Sequence, residues 1–164
     1  MTTIQEFLKE LDNEAVATRK LLERVPADRF DWRPHQKSMT LGQLAQHIAQ
    51  IPGFISATVK EGVFEPSGNR TQGQPESAAA LLSTFDASMA SARDTIGSMT
   101  DADLTGAWRM IRDGKEMAAM PRSAAMRNLL LNHWYHHRGQ LTVYLRLNDV
   151  ALPSVYGPTA DLKL

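Results

Sequence analysis

Cysteine is absent from all 164 residues. That absence excludes a disulfide, a thiolate nucleophile and any zinc site built on thiolates. A metal bound by this chain must therefore be held by nitrogen and oxygen. Net charge is missing as well: eighteen Lys and Arg balance eighteen Asp and Glu. With no basic run and no interleaving of basic and aromatic residues, nucleic acid and an anionic membrane surface are not expected partners, because binding phosphate needs a basic field. Long apolar runs are lacking too. The opening MTTIQEFLKELDNEA carries acidic residues and no sustained apolar stretch, so neither a signal peptide nor a membrane span is expected, and the reading is a cytoplasmic protein.

What is present is helical periodicity. The length suits one domain, residues 1–164. Ile4, Leu8, Leu11, Ala15, Leu21 and Leu22 recur near helical spacing, which predicts a first helix from Thr3, as N-cap, to Arg24. VPADRFDWRPHQKS then reads as a connection, with two prolines and a polar run. A second helix opens after Ser38 or Thr40 and presents Leu41, Leu44, Ala45, Ile48 and Ile51 on one face, with a kink expected at Pro52 and Gly53 before it resumes toward Lys60. EPSGNRTQGQP is the clearest loop, long enough to cross a bundle end.

A third helix is predicted over Glu76 to Ser98, striped by Leu81, Leu82, Phe85, Met89, Ala92 and Ile96. The Asp-Gly pair between WRMI and KEMAAM makes the next segment a connector with a hairpin signal. A fourth helix spans Arg122 to Leu147, and the tail ALPSVYGPTADLKL should be extended and packed on the surface. The expected fold class is all-α: a four-helix bundle with a long crossover connection, a short hairpin before the last helix and an extended C-terminal tail.

Three of the five histidines fall in NLLLNHWYHHRGQL. Burying an imidazole is unfavourable unless its nitrogens find partners, so the crowding needs a metal, a proton-transfer role or a solvated face. At about 100° per residue, His133 and His137 lie one turn apart on a stripe with Met126, Leu130, Leu141 and Tyr144, whereas His136 projects about a quarter turn away. An i, i+4 pair can offer two nitrogens to one ion. A third ligand should come from a neighbouring helix, and His47, at the margin of the apolar face of the second helix, is the best candidate. His35 lies in the connection, where a solvated side chain is expected. Trp134 stands where helical HExxH peptidases need a glutamate base, so that chemistry is not expected.

Three stretches, FDWRPHQKSMTLGQLAQHIAQ, NHWYHHRGQL and ALPSVYGP, resemble the DinB-like family of four-helix-bundle metalloproteins, which is related to bacillithiol- and mycothiol-dependent transferases. The resemblance places the family's single helical histidine at His47 and its H-x-x-x-H pair at His133 and His137, followed by Arg138, Gly139 and Gln140. It implies a divalent ion, zinc or nickel, on three imidazoles with open positions, where a bound water or thiol would become more acidic.

The resemblance leaves two classes of function open. One is an enzyme that transfers a low-molecular-weight thiol to a small molecule, or hydrolyses one. The other is a non-enzymatic stress-associated protein whose metal, or metal-free histidine cluster, is structural. No general base is evident, and Gln50 and Gln140 are candidates to orient ligands or water. Trp32, Arg33 and Pro34 are expected to brace the bundle end, and Arg138 to form a structural ion pair off the core stripe. Tyr156 is expected near the mouth of the site or at a dimer contact. Family members often pair, so a homodimer is expected, with Trp108, Met117 and Met120 supplying apolar contact if exposed.

Overall fold

A computed structural model describes residues 3–66 and 72–162. Of the glycine- and proline-rich loop, residues 67–71 lie outside the described residues. Four long helices carry the fold: α1 Thr3–Leu22, α2 Leu41–Glu61, α3 Ala78–Gly97, and a last helical rod in three parts, α4 Arg122–Ala125, a π-helical stretch Met126–Asn132 and α5 His133–Leu147. α1 packs against α3 and α5, and α2 packs against the same two, so the helices close into a bundle with α1 and α2 at opposite corners. The expected crossover is therefore misplaced. The glycine-rich loop joins the neighbours α2 and α3, whereas the connections that run diagonally are residues 23–40 and 98–121.

The fold is mostly helical without being all-α. Val63–Phe64 (β1), Ala107–Arg112 (β2) and Lys115–Pro121 (β3) form a three-stranded sheet in that order. β2 and β3 are the hairpin signalled by Asp-Gly. Asp113 and Gly114 adopt φ of 50° and 71°, the left-handed pair that a tight hairpin turn requires. β1 was not foreseen: two residues after α2 pair parallel to β2 through Val63 opposite Arg109 and Phe64 opposite Met110, too short a run to show alternation.

The helix ends have identifiable causes. Thr40 caps α2 with a reciprocal box: its side chain accepts from the Gln43 N–H while Gln43 returns a bond to the Thr40 N–H. Thr3 is not the N-cap of α1 but already helical. The N–H groups of Thr3 and Ile4 donate to the Asp101 carboxylate at 3.2 and 3.0 Å, a long-range cap that local sequence does not reveal. Trp32 braces the bundle end as expected, edge-on to Tyr144 at 5.6 Å. The tail is irregular, held by the Arg146–Asp161 ion pair and by Val150, Leu152 and Val155 against the core.

α2 runs through Pro52 without a break. Proline has no N–H to give to the Ile48 carbonyl one turn earlier, so that acceptor is left free inside the bundle. The indole Nε1–H of Trp134 takes it at 3.0 Å. One residue further, the Gly53 N–H donates to Ser88 Oγ of α3 at 2.9 Å, and a Cβ at Gly53 would sit 3.1 Å from Ser88. The proline thus creates an acceptor for α5, and the glycine admits α3 at the same level.

Candidate metal centre

His47 lies one residue before Ile48 on α2, and His133 one residue before Trp134 on α5. The Trp134–Ile48 bond therefore holds the two histidine-bearing helices together at the level of both side chains. The Nε2 atoms of His47 and His133 are 3.4 Å apart, and those of His133 and His137 are 2.8 Å apart. One ring nitrogen from each of the three lies within 4.8 Å of the others. His136 is exposed, its ring 5.0 Å from that of His137, and His35 is exposed in the connection, accepting from the Lys37 N–H.

The outer nitrogens fix the tautomers. His133 Nδ1 lies 3.2 Å from the Leu129 carbonyl oxygen, which can only accept, so Nδ1 carries the proton. The π-helical stretch makes this contact possible: the His133 backbone N–H bonds the Leu130 oxygen rather than the Leu129 oxygen that an α-helix would use. His137 Nδ1 donates to Gln140 Oε1 at 2.7 Å, the orienting role foreseen for Gln140. Both facing Nε2 atoms are then lone-pair acceptors 2.8 Å apart with no hydrogen between them. That arrangement is favourable only around a positive charge. The three histidines fit a divalent cation for this reason. Burial depresses all three pKa values, that of His47 to about 4 with further lowering by its two neighbours, so the rings are neutral at neutral pH, as ligation requires.

α5 is rotated relative to the expected stripe. Its buried line runs Trp134, Arg138, Leu141 and Leu145, one residue beyond His133 and His137, which sit partly buried at its margin. The wider π-helical turns reset the face at that point. Arg138, expected off the core stripe, is only 3% exposed and pairs with Glu14 of α1 at 2.6 Å; it also donates to Thr18 and to the Tyr156 hydroxyl. It is the structural ion pair expected of it, but a buried one. Tyr156 is thereby placed on the α1 side of α5, hydrogen-bonded to Glu14, rather than at the mouth of the histidine cluster.

Beside the histidines lies a cleft of about 830 Å³, walled by Ile51, Phe54, Phe64, Trp108, Met110 and Leu129, with His47 and His133 at one end. Trp108 does not meet the condition of exposure set for it as a dimer contact. It is 3% exposed and is part of this wall, whereas Met117 is 58% exposed. Gln50 lines the cleft and accepts from Gln72, which also hydrogen-bonds His47. Sequence reasoning missed Gln72, which stands in a loop with no periodicity, and Trp108, whose burial depends on the sheet. No helix among the described residues is long and apolar enough to cross a membrane.

The DinB family model matches residues 1–161. The chain is 28% identical over 160 residues to the uncharacterized protein YrdA of Bacillus subtilis (strain 168), covering 97% of this chain and 91% of that protein. With the uncharacterized protein YjoA of the same organism it shares 24% over 132 residues, 79% of this chain and 80% of the other. Among solved structures, a DinB-like protein from Bacillus cereus superposes with a TM-score of 0.73 at 28% identity, covering 94% of this chain and 99% of that one. The DinB-like protein YjoA superposes with a TM-score of 0.70 at 17% identity, covering 92% and 97%.

Proposed function

Because this chain belongs to the DinB family, we propose that it is a divalent-metal-dependent enzyme acting on a small molecule, with zinc or nickel held by His47, His133 and His137. The observation that carries this reading is the convergence of three imidazole nitrogens, with the proton-bearing sides of His133 and His137 turned outward to Leu129 and Gln140. When bound, the ion would supply Lewis acidity and lower the pKa of a thiol or water, making it a nucleophile for transfer or hydrolysis.

The chain's own groups support an activating rather than a clamping role. α2 and α5 are already joined beside both ligands by the Trp134–Ile48 bond and the core around it, so a clamp there would be redundant. The described residues lining the cleft include no carboxylate, lysine or tyrosine, so no side chain there is placed to act as a general base other than the histidines themselves. Gln50 and Gln72 offer neutral hydrogen bonds at the histidine end of the cleft, suited to orienting a nucleophile.

The test is a screen of small electrophiles and esters against the metal-loaded chain, with and without several cellular thiols. The expected result is metal-dependent conjugation or hydrolysis that disappears in His137→Ala. If metal binds stoichiometrically and every substrate class stays untouched, the structural-ion reading replaces this one.

A further inference from the structure

Resting on that reading of the histidine site, the wall chemistry of the adjoining cleft points further, and we propose that the substrate is a neutral, predominantly apolar small molecule. Its reacting group lies at the His47 and His133 end, and its body lies between Phe54, Phe64, Trp108 and Met110. The cleft's volume of about 830 Å³ is within the range that encloses most of a drug-sized ligand. Its side walls come from three sources: α2 with Ile51, Phe54 and Ile55, the sheet with Phe64, Trp108 and Met110, and α3 with Ala87, Ser88 and Ser91.

No Lys, Arg, Asp or Glu lines the cleft among the described residues. A carboxylate or phosphate on the body of a ligand would therefore lose its water without gaining a counter-charge, which is strongly unfavourable in an apolar site. The polar groups present, Thr58, Ser88, Ser91, Gln50 and Gln72, are all uncharged and can match hydroxyl, ether or carbonyl groups. Among the described lining residues, charge complementarity would arise only at the histidine end, with a bound ion, and it would act on the reacting group alone. The rings of Phe54 and Phe64, with centroids 5.5 Å apart and nearly perpendicular, offer aromatic surface suited to a flat apolar group.

The test compares two fluorescent probes that share the same rings and differ by one sulfonate: neutral N-phenyl-1-naphthylamine and anionic 8-anilino-1-naphthalenesulfonate. Each is titrated into the full chain with zinc loaded and with zinc removed by chelation. The neutral probe should bind once per chain and at least about tenfold more tightly than the anionic one. Ala87→Trp, an exposed α3 position facing the cleft, should weaken both probes. Ser91→Lys, also exposed, should weaken the neutral probe and strengthen the anionic one. Circular dichroism and zinc content serve as controls that both variants fold. The proposal is overturned if the anionic probe binds as tightly as the neutral one, or if neither substitution alters binding. A chain that holds no ion yet keeps the neutral preference supports the cleft's chemistry and defeats the catalytic reading. A chain that holds its ion and prefers the anionic probe does the reverse.

Discussion

The two sides of the last helical rod treat their polar groups in opposite ways. Toward α1, the polar groups have partners: Arg138 meets Glu14 at 2.6 Å, and the Tyr135 hydroxyl and Arg127 of the preceding π-helical stretch both bind Glu10. The Arg127 hydrogen bond holds the Glu10 carboxyl below its usual range, and burial with that carboxylate close by pushes the Tyr135 phenol up. Toward α2, His133 and His137 satisfy only their outer nitrogens and turn two lone pairs toward each other and toward His47. A face whose polar groups are all satisfied reads as a joint. A face that leaves acceptors converging on one point reads as a site.

The contrast can be broken from either side. The largest effect should come from Arg138→Ala, which leaves the Glu14 carboxylate in a largely buried setting without its cation. Unfolding experiments should show a loss of about 3–5 kcal/mol, while the folded variant binds zinc normally. His137→Ala should do the opposite: metal affinity falls by more than about 100-fold by calorimetry, because losing a ligand exceeds the ten- to hundredfold typical of an outer partner. The stability of its metal-free form should change little. His136→Ala, on an exposed ring, is the control and should bind metal like the parent.

Gln140→Ala removes the acceptor that holds the His137 tautomer, and zinc affinity should fall about tenfold with stoichiometry unchanged. A separate effect is on pH. The cluster histidines have folded pKa values below the unfolded value of 6.5, that of His47 near 4, so the unfolded chain binds more protons across that interval. Stability of the metal-free protein should thus rise with pH from about 4 to 6.5 and be lost in the reverse direction, and His47→Gln should flatten that slope. An unchanged slope in that variant would mean that other groups govern it.

The histidine set was legible because it rests on spacing that survives folding. His133 and His137 remain one turn apart within α5, and His47 stays at the margin of a strongly apolar α2 face. The long helices and the Asp-Gly turn were legible for the same reason, since each is written in local periodicity or turn chemistry. What escaped was set by contacts distant in sequence. The π-helical stretch leaves no composition signal, yet it moves Arg138 inward and the histidines to the margin. The acceptor for Trp134 is freed by Pro52 on a different helix, and Trp108 is buried where the sheet meets the cleft wall of α2 and α3. The diagonal route of the connections follows from which helices pack together, which loop length does not determine.

The most direct test of the histidine centre is metal analysis of the chain purified without an affinity tag and loaded in turn with zinc, nickel and manganese, beside the triple variant His47→Ala, His133→Ala, His137→Ala. The expected result is about one ion per parent chain for zinc or nickel, and none in the variant. A parent chain that holds no ion, or a variant that holds as much as the parent, would contradict it.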